Sequence, residues 1–346
     1  MSELVFVSGA SGFIASYIVK DLLAAGYRVR GSVRDAKKKE SYAHLMALPG
    51  AAERLEMVSA ELTTPNAFDE HVKGAAYVLH TASPYVIDVK DAQRDLIDPA
   101  VMGTTTMMEA CAKADGIKRV VITSSTAAVT DEPVDGYVFS EKDWNTKSTL
   151  ERNPYYMSKA RAEKVGWDFV ESKKPAWDLV VVNPAMVTGP AMTKAVNTSN
   201  QIFVDLAKGQ YPAIVSLMFG IVDVRDVAAA HVEAMRRPNA SGRYICVSET
   251  KTLRNLVSLM RESGWKKTKI PSIGLDSSLG TAVGRLAAYM QPKGVRSYLQ
   301  TNLGRELAYD NSKIKNDLGV RFMSADASVL DTLRDLAKWG HLPPAA

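Results

Sequence analysis

Residues 4–15 read LVFVSGASGFIA, and this stretch decides which fold the sequence predicts. Residues 4–7 are a short apolar run typical of a strand, and residues 14–25 have the periodicity of a helix. Between them, Gly9 and Gly12 stand in the pattern Gly-x-x-Gly-x-x-Ala, which ends at Ala15. Glycines at a strand-to-helix turn let the backbone approach a pyrophosphate, whose charge then lies at the helix amino terminus. The turn therefore predicts a dinucleotide site, and the alternative is a plain tight turn.

The rest of the chain continues this alternation of short β-branched runs and helical patterns. It predicts parallel strands joined by helical crossovers. We therefore expect an α/β fold: a Rossmann-type doubly wound parallel sheet with a smaller, discontinuous C-terminal substrate-binding domain. The dinucleotide-binding domain should cover residues 1–190, completed by about 220–250, and the substrate-binding part 191–219 and 251–346. Further strands are predicted at 27–33, 55–59, 77–80, 119–123, 179–182 and 242–247, and further helices at 98–114, from about 153, at 223–235 and at 253–263.

Beyond residue 190 the alternation weakens. Residues 191–219 are predicted to be loop and helix, and residues 270–307 show no clear strand.

Composition narrows the classes of protein that fit. The net charge is +5, yet the longest basic run is only Lys37 to Lys39, so a nucleic-acid partner is not expected. Only Cys111 and Cys246 are present, which argues against a disulfide framework and favours a reducing compartment. The amino terminus lacks a signal-peptide pattern, and no apolar run reaches membrane-spanning length. We expect a cytoplasmic protein, monomeric or homodimeric, with a small-molecule partner and no membrane partner.

The end of the second strand bears on which dinucleotide is bound. An acidic residue there accepts hydrogen bonds from a free ribose 2′-hydroxyl, whereas an arginine accommodates a 2′-phosphate. Arg34 stands at this position, followed closely by Lys38, which favours NADP(H). Asp35 lies one residue further on and leaves NAD as the alternative.

A tyrosine four residues before a lysine predicts proton chemistry at Asn153 to Glu163, NPYYMSKARAE. In a helix, Tyr155 and Lys159 lie on one face while Tyr156 points elsewhere. A nearby ammonium favours the phenolate and brings the phenol closer to working pH. Ser125, at the end of the strand over 119–123, would lie where ligands bind in such sheets. Its hydroxyl would then reach the same carbonyl oxygen that Tyr155 protonates.

Two other tyrosines precede a lysine by four residues, and their context differs. Tyr289 and Lys293 enclose Pro292, which disrupts a helical register. Tyr309 precedes a predicted helix cap, so it should lie outside the helix that carries Lys313.

With these residues in place, the chain resembles the extended short-chain dehydrogenase/reductase family. It looks most like the branch with dihydroflavonol reductases, cinnamoyl-CoA reductases and NADPH-dependent aldehyde and ketone reductases. The motifs that carry the resemblance are VSGASGFIA, SVRD, ELTTPNAFDE, LHTASP, DPAVMGTTTMMEAC, VVITSSTAAV, YYMSKARAE, VVNPAMVTGP, DVRDVAAAHVEAM and SGRYICVSE.

The resemblance implies an NADPH-dependent carbonyl reductase in which Tyr155 is the general acid, Lys159 lowers its pKa and holds the nicotinamide ribose, and Ser125 orients the carbonyl. It implies pyrophosphate contacts from Gly9, Ser11, Gly12, Phe13 and Ile14, 2′-phosphate contacts from Arg34 and Lys38, and further cofactor contacts from Glu61, Leu62, Thr81, Ala82, Ser83, Pro184, Val187 and Ser199.

Two departures from the family bear on the substrate. Cinnamoyl-CoA reductases carry Asn-Trp-Tyr-Cys-Tyr-Gly-Lys where this chain has Asn153 to Lys159, which argues against a CoA thioester. Thr130 stands where dihydroflavonol reductases have Asn or Asp, which argues against a flavonoid.

Other functions of the same fold remain alternatives: a nucleotide-sugar epimerase or dehydratase, or a hydroxysteroid dehydrogenase. No histidine spacing suggests a metal. The candidate substrate contacts are Tyr85, Val86, Thr126, Thr130 and Met186.

Overall fold

A computed structural model describes residues 2–83, 91–291 and 293–346. The strands are β1 Leu4–Ser8, β2 Arg28–Val33, β3 Leu55–Ser59, β4 Tyr77–His80, β5 Arg119–Thr123, β6 Val138–Phe139, β7 Asp178–Pro184, β8 Met186–Thr188, β9 Ile214–Val215, β10 Met218–Asp223, β11 Gly242–Cys246, β12 Glu249–Thr252, β13 Gly274–Leu275 and β14 Ala308–Tyr309. The helices are α1 Phe13–Ala24, α2 Ala43–Met46, α3 Ala51–Arg54, α4 Asp98–Lys113, α5 Pro154–Lys173, α6 Thr198–Lys208, α7 Val224–Arg236, α8 Leu253–Met260, α9 Ser278–Ala287, α10 Lys293–Asn302, α11 Ser312–Leu318 and α12 Ala325–Lys338.

The central sheet has seven strands in the order β11-β7-β5-β4-β1-β2-β3. Every neighbouring pair in it is parallel. The chain moves outward from β1 to β3, returns to β4 on the other side of β1, and then continues outward. The strand order therefore reverses between β1 and β4, which is where doubly wound sheets bind their ligands. The predicted fold class is confirmed.

Helices cover both faces of this sheet, which explains why its central strands are apolar on both sides. Val180, Val181 and Val182 of β7 are fully buried. One core cluster joins the sheet to α1, α7 and α11, and another joins the opposite face to α4 and α5. The sheet is thus fixed from both sides, and its carboxyl-terminal edge is held in place for binding.

A further core cluster lies beyond the strand ends, among α6, α8 and α12. Here the structure differs from the sequence prediction. Residues 191–219 include β9 and the start of β10 besides α6, and residues 270–307 contain the two-residue strand β13 together with α9 and α10. Strands of two or three residues are too short to show an alternating pattern, so periodicity misses them. The proposed division into two domains stays a prediction.

Candidate active site

The glycine turn after β1 is shaped for close backbone approach. Gly9 has a φ of +63°, a conformation that favours glycine. A Cβ atom on Gly9 would lie 3.1 Å from the Cβ of Ala82 and 3.2 Å from its Cα, so this turn and the end of β4 fit together only without a side chain. The buried Ser8 hydroxyl ties the two strand ends, since it accepts hydrogen bonds from the backbone N–H groups of Thr81 and Ala82, both at 3.0 Å.

Helix α1 begins at this turn with its amino end suited to an anion. Gly12 caps the helix without a side-chain hydrogen bond, and its first turn has no acidic residue. The first backbone N–H groups of a helix lack intrahelical partners and attract negative charge. These features fit the pyrophosphate of a dinucleotide.

A cavity of about 520 Å³ lies beside this turn and contains ten of the predicted cofactor residues. Sequence reasoning missed Ser32, Ser41, Thr63 and Phe68, which also line it. Ser32 lies in the SVRD motif and Thr63 and Phe68 lie in ELTTPNAFDE, so those motifs were the signal that could have found them, whereas Ser41 lies in no quoted motif. The predicted residues that line it are Gly9, Ser11, Gly12, Arg34, Lys38, Glu61, Leu62, Thr81, Ala82 and Ser83.

Arg34 and Asp35 both line this cavity, but their side chains differ in availability. The Asp35 carboxylate accepts a hydrogen bond from the backbone N–H of Lys37 at 3.0 Å, so one of its oxygens already closes a local turn. Arg34 is exposed at the cavity rim. The rim therefore offers a guanidinium, and Lys38 beside it, to an anionic group.

A second cavity of about 360 Å³ continues from the first and shares Gly9, Gly12, Thr81 and Ser83 with it. Asn197 and Thr198, which sequence reasoning missed, also line it. They directly precede the predicted Ser199 at the start of α6. That helix start is the signal that could have found them. The remaining predicted residues meet here: Phe13, Ile14, Ser125, Tyr155, Lys159, Pro184, Val187 and Ser199.

Lys159 is the charged centre of this second cavity. Its Nζ lies 5.7 Å from the centroid of the Tyr155 ring and donates a hydrogen bond to the Ser83 hydroxyl at 2.7 Å. Burial lowers the pKa of Lys159 to about 8, because a low-dielectric surrounding disfavours the ammonium. At neutral pH the group is still mainly charged.

The paired tyrosines of α5 face different cavities. Tyr155 lines the second cavity with Lys159, whereas Tyr156 lines a third cavity and its ring lies 6.3 Å from that of Tyr298. The expected separation of their faces is confirmed. Tyr309 lies in β14, outside helix α11, also as predicted. Tyr289 is in a short helical turn that ends before α10; Pro292 itself lies outside the described residues.

Ser125 follows β5 in extended backbone, and its hydroxyl accepts a hydrogen bond from the Ala127 N–H at 3.1 Å. Asn183 holds the Ser125 backbone in place, because its side-chain amide donates a hydrogen bond to the Ser125 carbonyl at 3.2 Å. The same amide donates to the Glu163 carboxylate at 2.7 Å. Glu163 also accepts from Ser124 at 2.6 Å and pairs with Arg243 at 2.5 Å. Both charges of that pair are buried. This network fixes α5 against the carboxyl-terminal ends of β5 and β7 and against the start of β11.

The third cavity, of about 100 Å³, adjoins the second at Ala185. It contains the predicted Thr126, Thr130 and Met186. Thr130 donates its hydroxyl to the Glu132 carbonyl at 2.7 Å, so that hydroxyl is already engaged. The other two predicted substrate contacts, Tyr85 and Val86, lie outside the described residues.

Three tyrosines dominate the wall of this third cavity: Tyr156, Tyr298 and Tyr309. Burial raises the pKa of each, that of Tyr309 to about 12, so all three are neutral phenols at working pH. Tyr298 and Tyr309 escaped sequence reasoning because α10 and β14 are remote in sequence from the catalytic motifs. The one local signal at Tyr309 was its position four residues before a lysine, and that spacing is a sign of proton chemistry and not of a place in a cavity wall.

The described residues offer no group of three metal ligands, no paired cysteines and no membrane-spanning helix. No group of three His, Cys, Asp or Glu side chains in residues 2–83, 91–291 and 293–346 could hold a metal ion. Cys111 and Cys246 are both buried and free. No helix in the described part of the chain combines the length and apolar character needed to cross a bilayer.

Comparison with known proteins places this geometry in a family. The sequence model of the NAD dependent epimerase/dehydratase family matches residues 5–247. A cinnamoyl-CoA reductase of Medicago truncatula is 42% identical over 270 residues, which cover 76% of this chain and 81% of that protein. A tetraketide alpha-pyrone reductase of Arabidopsis thaliana is 38% identical over 267 residues, covering 75% and 82%.

Solved structures agree. The yeast methylglyoxal/isovaleraldehyde reductase, solved in complex with NADPH, superposes with a TM-score of 0.80 at 32% identity and covers 97% of this chain and 99% of its own. The family match extends over the whole glycine turn, the Tyr155/Lys159 helix and the last strand of the central sheet. The chain belongs to the NAD dependent epimerase/dehydratase family, within the extended short-chain dehydrogenases/reductases.

Proposed function

We propose that this protein is an NADPH-dependent reductase of aldehydes or ketones in which Tyr155 is the general acid. Its relatives are named reductases, and a structural neighbour holds NADPH. On that basis the chain is an NADP-dependent oxidoreductase that acts on carbonyl groups. The observation that carries the proposal is the meeting of Ser125, Tyr155 and Lys159 in one cavity continuous with the cavity of Arg34.

Within that cavity the three residues divide the work. Bound NADPH supplies a hydride to the carbonyl carbon. Tyr155 donates its phenolic proton to the carbonyl oxygen as negative charge develops there. Lys159, mainly protonated at neutral pH, stabilises the resulting phenolate and holds the ribose. Ser125 accepts from the Ala127 N–H, which leaves its own proton to donate to the same oxygen and fix its position.

The choice of NADP(H) over NAD rests on the rim of the first cavity. Arg34 supplies a planar fork of donors that suits a phosphate, with Lys38 as a second cation. Asp35, the residue that would favour NAD, already binds the Lys37 backbone. Gly9, Ser11, Gly12, Phe13 and Ile14 hold the pyrophosphate in this proposal, and Ser83, Pro184, Val187 and Ser199 surround the nicotinamide end.

The substrate enters from the third cavity, next to Thr126 and Met186. Its wall combines three neutral phenols with Asp131 and Glu132, whose carboxylates pair with Arg152. Because no lysine or arginine is among its described lining residues, the cavity favours an uncharged aldehyde or ketone over an acidic one. In this proposal residues 1–190, completed by about 220–250, form the dinucleotide-binding domain, and 191–219 and 251–346 complete the substrate side. The two unpaired cysteines are compatible with a reducing compartment, and we place the enzyme in the cytoplasm.

The adjacent tyrosines provide the test. Tyr155→Phe should lower kcat for NADPH oxidation about 10³-fold with aryl ketones, aldehydes or α-ketoesters, because the proton donor is lost while the ring remains. Tyr156→Phe is the matched control, since it removes a hydroxyl from the next residue of the same helix and should keep kcat within about threefold. Full turnover by Tyr155→Phe, with NADPH still bound, would refute the assignment.

A further inference from the structure

Helix α9 buries its small residues and exposes its large apolar ones, which is the reverse of an ordinary surface helix. Its small residues Gly280 and Gly284 are buried, and a Cβ on Gly280 would lie 2.6 Å from the backbone of Leu275. Its large residues face outward instead: Leu279 is 78% exposed and Leu286 72%. Amphipathic helices of globular proteins normally bury the large apolar side chains. Close docking through glycine therefore leaves the apolar stripe of α9 open.

The stripe is part of a larger surface, which we call the apolar face. Along α9 and the turn after it, Leu279, Val283, Leu286 and Met290 follow one helical side, and Met290 is 88% exposed. With roughly 150–200 Å² per large side chain, the four side chains of this stripe expose on the order of 500 Å², at the upper end of the few hundred Å² usual on a monomer. The apolar face comprises Ile273, Leu279, Val283, Leu286, Tyr289, Met290 and Val295.

The segment that carries the apolar face is also the basic part of the protein. Residues 261–305 contain eight Lys or Arg and two Asp or Glu, a net charge of +6, whereas the whole chain carries +5. One of the two acids, Asp276, is further neutralised by a bidentate pair with Arg254 at 2.5 Å. Arg285 is exposed on α9 itself, and the Arg296 guanidinium lies 5.7 Å from the centroid of the Tyr289 ring. Two cations, Arg285 and Arg296, therefore lie on the same helices as the apolar face.

We propose that the apolar face binds peripherally to an anionic lipid surface. Apolar side chains next to lysines and arginines are the combination that holds a protein at the headgroup boundary, since the first enter the acyl region and the second pair with anionic lipids. A second copy of the chain is disfavoured as the occupant, because a symmetric contact would bring two +6 segments together. This binding is opposed to the sequence expectation of no membrane partner.

The apolar face lies next to the wall of the proposed substrate cavity. Helix α10 carries Val295 on the apolar face, while Tyr298 and Asn302, one and two turns later, line the third cavity. A lipid surface bound here would lie beside the wall of the proposed substrate cavity. Lipophilic carbonyl compounds concentrate in such a surface.

Vesicle co-sedimentation of the full chain tests the proposal. Wild-type protein should pellet with phosphatidylcholine vesicles that contain about 30% phosphatidylglycerol, and about tenfold less with phosphatidylcholine alone or at high salt. The triple variant Leu279→Gln, Leu286→Gln, Met290→Gln should lose about tenfold in partitioning. Met102→Gln, at a 43% exposed methionine of α4, is the matched control and should pellet like wild type.

The remaining readouts separate binding from folding and from self-association. Thermal unfolding and NADPH turnover with a water-soluble aldehyde should be unchanged in the triple variant, since none of its positions lines the cavities. Wild-type protein that stays in the supernatant with both vesicle types overturns the proposal, as does equal pelleting by the triple variant. A wild-type dimer in sedimentation velocity that the triple variant breaks, without vesicle binding, would assign the face to a second copy instead.

Discussion

The two ends of the cleft are built in different ways. At the dinucleotide end, most of the cavity wall comes from residues at the ends of β1, β2, β3 and β4 or within five positions of them, whereas Ser41 and Phe68 lie eight and nine positions beyond. At the substrate end, Tyr156, Tyr298 and Tyr309 come from α5, α10 and β14, and more than 140 positions separate the first from the second. Parallel strands gather their carboxyl ends by geometry alone, so the first wall needs only local motifs. The second needs the whole fold.

The two ends also differ in the charged side chains that they present to a ligand. The dinucleotide end carries the charges that bind and react: Arg34, Lys38 and Lys159. The substrate end is lined by neutral phenols, apolar side chains and two carboxylates, Asp131 and Glu132, which are paired with Arg152. Substitutions at the first end should therefore change rates by large factors, and conservative ones at the second should change them little.

The largest expected effect in this comparison is at Lys159. Lys159→Met should lower kcat/KM about 10²-fold, because the charge that stabilises the Tyr155 phenolate is lost. In wild type, kcat/KM should fall as the pH rises through about 8, where the free enzyme loses the ammonium. The variant should lack that decline. Arg161→Met, at an exposed residue of the same helix, is the control and should behave like wild type.

The same group has the opposite effect on stability. The pKa of Lys159 lies below its ordinary value of 10.5, so the unfolded chain binds more protons between pH 8 and 10.5. The contribution of Lys159 to the free energy of unfolding should therefore rise over that interval while activity falls. If the free energy of unfolding changed with pH in the same way in wild type and in Lys159→Met, the assigned pKa would be contradicted.

The buried network between the two ends should affect stability rather than rate. Glu163→Gln leaves Arg243 buried without its carboxylate and should reduce the free energy of unfolding by about 3–5 kcal/mol. Lys164→Gln breaks only the exposed pair with Asp168 and should cost under about 1 kcal/mol. Urea unfolding of both variants measures the difference, and similar midpoints would show that the buried network is not what fixes α5.

Cofactor choice should respond more moderately. Arg34→Ala should lower kcat/KM for NADPH by about 10- to 100-fold, as expected for a charge-assisted contact to phosphate, and leave the value for NADH nearly unchanged. Lys39→Ala, at an exposed lysine that does not line the cavity, is the control. If Asp35→Asn abolished NADH use while Arg34→Ala changed nothing, Asp35 would be the residue that selects the cofactor.

The smallest effect is expected at the substrate end. Tyr309 shares a hydrogen bond with Thr126, and Tyr309→Phe removes it while keeping the ring. We expect KM for a small aldehyde to change about threefold and kcat to remain, because a neutral hydrogen bond contributes about 1 kcal/mol. Tyr137→Phe, at a 44% exposed tyrosine, is the control. A fall in kcat/KM as large as that of Lys159→Met would remove the distinction between the two ends.

Sequence reasoning reached most of the dinucleotide end. The glycine turn, Arg34, Ser125 and the Tyr155/Lys159 spacing each lie within one strand end or one helix turn, where pattern determines position. It did not find Phe68, Tyr298 or the short strands β8 and β12. Phe68 and Tyr298 line the cavities from positions remote from the glycine turn and from the Tyr155/Lys159 helix. Strands β8 and β12 lack an apolar run like the one that identified the four-residue strand β4.

By itself the sequence determined the parallel sheet, the location of the dinucleotide turn and which tyrosine faces the lysine, because periodicity and helical spacing fix these locally. Only the tertiary structure decided which side chains enclose the third cavity, how Glu163 and Arg243 tie three strand ends to α5, and that α9 turns its large residues outward. Those outcomes depend on how elements pack: α9 buries Gly280, against the backbone of Leu275, and Gly284, and this leaves Leu279 and Leu286 in solvent.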